Sequence, residues 1–365
     1  MKLPELTIGN IKALVPIIQG GMGIGVSLHK LAAAVAAEGG IGIISGAQPG
    51  FAEPDFIKNT LGANLRALKN EIRLAKEKCK NGIIGVNLMV ATNGYAEYVK
   101  AAIEAKADLI ISGAGLPLEL PKLTQGSDIK IAPIVSSAKA ISVICKMWEK
   151  RYNATPDMVI VEGPEAGGHL GFSKNDELLN KPSALEQIVV EVKQALNTFE
   201  NKYNKSIPVI AAGGIFDGKD IAKFLSLGAS GVQMATRFVA TEECDADENY
   251  KKAYVEAKKE DIQIVVSPVG MPGRAIRNKF IEKVEGGSQK VKCLYNCLKP
   301  CDPKSTPYCI SEALINAREG NVDDGLIFCG SNVYRIDKIV PVKELIHELV
   351  TEAELNYRGI DSISI

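Results

Sequence analysis

The sequence is poor in aromatic residues, with one Trp and 5% Phe, Trp and Tyr together in 365 residues. It has no surplus charge, since 43 Lys and Arg balance 43 Asp and Glu. That balance excludes partners drawn by bulk electrostatics, both nucleic acid and acidic membrane surfaces. No run of about 18 apolar residues occurs, so no membrane span is expected. The opening MKLPELTIGN has no apolar signal-peptide core. Eight cysteines in so long a chain are too sparse for a disulfide scaffold, and a reducing cytoplasm is the expected compartment. Nucleotide fingerprints are missing too. PIIQGGMGIGVS, residues 16–27, carries Gly20, Gly21, Gly23 and Gly25, but G-x-G-x-x-G would need glycine where Val26 or Leu28 stands. The next apolar run, IGIISG, brings no ribose-binding acid, and no Gly-Lys-Ser/Thr follows to make a P-loop.

What is present is a rhythm. Eight β-branched runs recur: VPIIQGG at 15–21, GIGIISG at 40–46, IIGVNLMV at 83–90, ADLIISGAG at 107–115, KIAPIVSS at 130–137, DMVIVEG at 157–163, IPVIAAGG at 207–214 and GVQMATRFVA at 231–240. They are continuously apolar rather than alternating, as strands of a parallel sheet buried on both faces are. Helical patterns lie between them, among them SLHKLAAAVAAEGG, LGANLRALKNEIRLAKEKCKNG, KAISVICKMWEKRYN, SALEQIVVEVKQALNTFENKYN and DGKDIAKFLSLG. Ser183 and Asp217 read as N-caps and Gly228 as a C-terminal stop. Eight strand–helix units over about 250 residues match a (β/α)8 TIM barrel. A doubly wound sheet is the alternative, but its fingerprint loop is absent. The expected division is a barrel over 1–260, a lid or insertion at the barrel mouth over 261–340, and a helix over 341–365 that packs back on the barrel.

In such a barrel, chemistry sits where strands end. Those ends are rich in glycine and small polar residues: QGGM, SGAQPG, VNLM, SGAG, EGPEAGGH, AAGGI and QMATR. Small residues let backbone amides approach a flat or charged ligand. AAGGI and QMATR follow the seventh and eighth runs, where barrels commonly hold a phosphate, and Gly213, Gly214, Met234, Ala235 and Thr236 can supply amides and a hydroxyl. A phosphate site beside neutral loops fits a flavin mononucleotide better than a metal. Of the three histidines, His29 and His347 sit in helical patterns and read as surface residues. His169 closes VEGPEAGGH near Glu162 and Glu165, and is the candidate acid or base.

EGPEAGGH, PVIAAGGI and GVQMATRF, with PIIQGGMG ahead of them in the same order, resemble the flavin-dependent nitronate monooxygenase family, which also contains flavin-type enoyl-acyl-carrier-protein reductases. The resemblance covers residues 11–280. It implies FMN as cofactor, with Gly21, Met22 and Asn87 on the ring, Glu162, Gly167 and Gly168 beside the ribityl chain, and Gly213, Gly214, Gln233, Met234 and Thr236 around the phosphate. It implies His169 as the active-site histidine. The C-terminal third departs from the compact members and resembles a longer subgroup.

Two readings of activity follow from the resemblance: oxidation of alkyl nitronates with O2, or NAD(P)H-driven reduction of an activated C=C bond, such as an enoyl thioester, or of a quinone. A flavin-binding sensor is a third. Small-molecule partners are expected, with no nucleic acid and no membrane, and an exposed lid and apolar tail helix suit a homodimer. CLYNCLKPCDPKSTPYC places Cys293, Cys297, Cys301 and Cys309 at a spacing that matches neither paired C-x2-C zinc nor ferredoxin patterns. Structural thiols on a helical stripe, which Pro300 would interrupt, are the expectation, with a redox pair or a metal as alternatives. In MPGRAIRN, Arg274 and Arg277 are either anion-binding lid residues or a solvated basic turn.

Overall fold

The computed structural model describes residues 1–172, 184–268, 270–287 and 291–359. The expected cap Ser183 lies outside them. A hairpin of β1 (Leu6–Ile8) and β2 (Ile11–Ala13) opens the chain. Eight parallel strands then close into a barrel: β3 (Ile17–Gln19), β4 (Ile41–Ser45), β5 (Ile83–Met89), β6 (Leu109–Gly113), β7 (Lys130–Val135), β8 (Val159–Glu162), β10 (Val209–Ala212) and β11 (Gly231–Met234). Between β8 and β10, the short β9 (Gly168–His169) leaves the barrel and pairs with β13 (Pro272–Ile276), which pairs in turn with β12 (Ile262–Val266).

Helices surround the barrel: α1 (His29–Ala37), α2 (Thr60–Cys79), α3 (Tyr95–Glu104), the single turn α4 (Leu120–Leu123), α5 (Ala138–Tyr152), α6 (Ala184–Tyr203), α7 (Gly218–Ser226) and the single turn α8 (Thr236–Val239). Four more follow: α9 (Glu248–Glu256), α10 (Lys279–Glu285), α11 (Ile310–Arg318) and α12 (Val342–Asn356). The fold is a (β/α)8 TIM barrel.

The continuous apolar runs divide by residue parity, as a strand with both faces buried requires. Ile18, Ile43, Ile111, Ile160 and Ile210 fill the barrel interior, where Leu6, Ile8 and Ala13 of the hairpin pack against them. Their neighbours Ile17, Ile44, Ile110, Val159 and Val161 face the helices. Asp217 caps α7 with a full capping box, and Gly228 beyond the end of that helix has a positive φ of 88°. The last helix, α12, packs on α7 and α1.

Several expectations change. GVQMATRFVA is not one strand to residue 240. It leaves the sheet at Met234 and turns into α8, so Thr236 sits at a helix start. The cysteine stretch forms no helix. Its backbone is pinned to the loop after β5, where Asn93 N–H donates to Cys297 O at 3.0 Å and Lys299 N–H to Ala91 O at 2.8 Å. Pro300, Pro303 and Pro307 also remove helix donors there. His29 is not a free surface residue, since its Nδ1 meets Glu71 Oε2 at 2.7 Å and its side chain is 19% exposed. Helices α3, α9, α10 and α11 had no counterpart in the sequence reading.

The start of α1 has no cap of its own, because Leu28 occupies the cap position. A distant buried carboxylate substitutes. Asp245 Oδ2 accepts from Leu28 N–H at 2.8 Å and Leu31 N–H at 3.2 Å. Asp245→Ala is expected to cost about 1–3 kcal/mol by leaving these buried N–H groups unpaired. Urea unfolding of the variant against wild type measures it, and an unchanged midpoint would show that α1 does not depend on this cap.

Candidate functional site

The C-terminal ends of the barrel strands open into a cavity of about 690 Å³. Glycines make the floor. A Cβ on Gly21 would lie 2.5 Å from Asn87 Cβ, so only glycine lets β3 and β5 approach there. Gly213 and Gly214, both at positive φ (95° and 83°), turn the chain after β10. The wall away from the barrel comes from the C-terminal segment, with Met271, Leu298, Ile310, Leu314 and Phe328.

The residues that the resemblance assigns to the cofactor, and His169 with them, reach this one cavity. Gly21, Met22, Asn87, Glu162, Gly167, Gly168, His169, Gly213, Gly214, Gln233, Met234 and Thr236 line it. Arg274 and Arg277 do not. Arg274 is buried, and its Nη1 donates to Pro164 O at 2.8 Å and Ala166 O at 2.6 Å. Arg277 is exposed and pairs with Glu282.

The cavity has three chemically distinct parts. Where β10 and β11 end side by side, the backbone N–H groups of Gly213, Gly214, Ala235 and Thr236 have no acceptor among the described residues. Four free amides without a lysine form a neutral anion cradle. Two lining acceptors have no donor among the described residues. Gln233 Oε1 is buried and unpaired, and the Glu162 carboxyl has no partner among the described residues. Burial pushes the Glu162 pKa up to about 7. The third part is His169. Its Nε2 lies 2.6 Å from Ser267 Oγ, and its ring meets the Phe328 ring edge-on at 5.2 Å. Burial pulls its pKa down to about 4, so the imidazole is neutral at pH 7. No Lys or Arg lines the cavity among the described residues.

The chain as a whole is similar to known proteins. The nitronate monooxygenase family matches residues 5–352. The chain belongs to that family. It is therefore a flavin-dependent oxidoreductase. A probable nitronate monooxygenase of Staphylococcus saprophyticus is 28% identical over 304 residues, 78% of this chain and 81% of that protein. The structure of FabK from Thermotoga maritima superposes with a TM-score of 0.71 at 29% identity, covering 93% of each chain. A (3aS,4S,5R,7aS)-5-hydroxy-7a-methyl-1-oxo-octahydro-1H-indene-4-carboxyl-CoA dehydrogenase of Mycobacterium tuberculosis is 28% identical over 274 residues, 75% of this chain and 66% of that protein.

Sequence reasoning missed the residues that tie this family member's barrel loops to its C-terminal segment. Asn332 Nδ2 donates to Gly214 O at 2.6 Å, and Gly330 N–H to Thr236 Oγ1 at 3.1 Å. Both lie in LIFCGSNVYR, whose Gly-Ser-Asn turn was visible but had no assigned contact. Ser267 gave no signal, because its partner is 98 residues away. Among the described residues no group of three or more His, Cys, Asp or Glu could hold a metal ion, and no helix is long and apolar enough to cross a membrane.

The two shifted groups have opposite effects on stability. His169 falls from 6.5 to about 4, so across that window the unfolded chain binds a proton that the folded chain refuses, and stability rises with pH. Glu162 rises from 4.5 to about 7, so the folded chain holds the extra proton, and stability falls as pH rises through that window. His169→Gln is expected to remove the rising contribution and Glu162→Gln the falling one, read from urea unfolding free energies across this pH range. Slopes identical to wild type in both variants would mean that neither group is perturbed.

Proposed function

We propose that the cavity holds FMN and that the protein oxidises alkyl nitronates with O2. The observation that carries the cofactor reading is what one cavity brings together: four amides with no acceptor among the described residues, two acceptors with no donor among them, and a neutral histidine beside an apolar wall. A phosphate needs donors, and ribityl hydroxyls are donors for Glu162 and Gln233. Gly21, Met22 and Asn87 line the same cavity, where a flat ring would lie against them. When bound, the flavin supplies the electron acceptor. Gly213, Gly214, Ala235 and Thr236 hold the phosphate, and Gln233 and Glu162 orient the chain between phosphate and ring.

His169 does the proton work. Neutral, and held by Ser267, it takes a proton from a nitroalkane carbon or donates a hydrogen bond to the nitro oxygens. The apolar wall of Met271, Leu298, Ile310, Leu314 and Phe328 excludes water above it. Nitronate as substrate is supported by the family and by the name of the staphylococcal relative. The eight free cysteines suit a reducing cytoplasm.

A second reading is an NAD(P)H-dependent reductase of an activated C=C bond, such as an enoyl thioester, or of a quinone. One observation favours it. The cavity offers an anionic nitronate no Lys or Arg, and two carboxyl groups, Glu162 and Glu165, stand among its lining residues. A neutral enoyl group meets no such mismatch.

Anaerobic mixing separates the two. Loss of the visible flavin band on adding an alkyl nitronate, with none on adding NADH or NADPH, is the expected result, and the reverse would establish the reductase. In either case His169→Asn is expected to retain flavin and lose about 10²–10⁴-fold in turnover. Unchanged turnover would remove His169 from the chemistry.

A further inference from the structure

The 163–168 loop carries Gly167 and Gly168 to the cavity and delivers His169, held on one side by the barrel, where Gly163 N–H donates to Ala212 O at 2.8 Å, and on the other by the C-terminal segment. The contacts on the second side are close. A Cβ on Gly167 would sit 2.6 Å from the Cys329 carbonyl carbon, so the two backbones run in contact. Ser331 N–H donates to Glu165 O at 3.1 Å, and Cys329 N–H to Arg274 O at 3.1 Å. In register, Gly168 stands opposite Arg274, and His169 opposite Gly273. The Pro164 and Ala166 carbonyls, two residues apart, converge on the same nitrogen, Arg274 Nη1, at 2.8 and 2.6 Å. Arg274 is 8% exposed. Two buried carbonyl dipoles aimed at one point repel each other unless a donor sits between them, and a charged donor holds them most strongly.

We propose that Arg274 is a positioning residue: its guanidinium gathers the Pro164 and Ala166 carbonyls and so sets the backbone that places Gly167, Gly168 and His169 in the cavity. It touches neither substrate nor cofactor. The chemistry is specific to arginine. A planar, permanently charged fork on β13 reaches across to the loop while its own backbone pairs with that loop's end. The consequence for FMN rests on the cofactor reading above, whereas the consequence for the loop does not.

The test uses the full chain as wild type, Arg274→Ala and Arg274→Lys. Hydrogen exchange of the 163–169 amides reads the loop directly. Arg274→Ala is expected to exchange about tenfold or more faster there, with the barrel strands unchanged. FMN titration by fluorescence quenching is expected to show binding weakened about ten- to a hundredfold, the cost of stranding one or both carbonyls. Added guanidinium or methylguanidine, at concentrations too low to unfold the protein, is expected to restore both readouts. Arg274→Lys, which keeps the charge but replaces the planar fork with a compact ammonium, is expected to fall between wild type and Arg274→Ala, and keeps the test open where the alanine variant fails to fold. Loop exchange at the wild-type rate in Arg274→Ala overturns the proposal, as does loss of protection that spreads over the whole barrel and resists guanidinium. Failure of the wild type itself to bind FMN overturns the cofactor reading, and loop exchange still decides the role of Arg274.

Discussion

Gly168 and His169 form a two-residue strand whose partner, β13, lies more than a hundred residues later in the chain. Through that pairing a barrel loop and the C-terminal segment become one wall. The barrel strands alone end in small residues that open upward with few groups to close over them. The C-terminal segment closes them, with Ser267 against His169, Phe328 against the same ring, Asn332 on Gly214 and Gly330 on Thr236. Each contact holds a residue that lines the cavity. The segment is therefore part of the site and not only a cover over it.

The second constraint is electrostatic. The cavity holds carboxyl groups, a neutral imidazole and free amides, but no Lys or Arg among its described lining residues. Amides carry partial positive charge without the long, mobile side chain of a lysine, so they hold an anion at a fixed point and leave the net charge of the chamber low. Burial then keeps His169 neutral and raises Glu162 towards neutrality. A low-charge chamber under an apolar wall suits organic substrates at their reacting carbon, and it places the burden of binding the cofactor on backbone geometry.

Much of this was legible in the sequence, for physical reasons. Strands buried on both faces need continuous apolar runs, so β3 to β8, β10 and β11 declared themselves, and strand ends that admit a ligand need glycine, so QGGM and AAGGI pointed to the cavity. Asp217 and Gly228 read correctly because helix caps are local. What depends on distant partners was hidden. Arg274 read as either an anion-binding lid residue or part of a solvated basic turn, and only the fold shows its Nη1 spent on two carbonyls. The cysteine stretch had helical spacing, yet its backbone hydrogen bonds go to Ala91 and Asn93. Met234 and Ala235 also mark the limit of local reading: an apolar run continues past the point where the sheet stops, and nothing in its composition says where the turn falls.

The central claim is that free backbone amides, not charged side chains, select a phosphate-bearing flavin. The measurement that tests it most directly is the affinity of the flavin-free protein for FMN against riboflavin, which differ only in the phosphate. Charge-assisted hydrogen bonds from the four amides should make FMN about a hundredfold or more tighter, each contributing about 1.5–3 kcal/mol before the cost of desolvating the phosphate. Equal affinity for the two, or binding of neither, would contradict it.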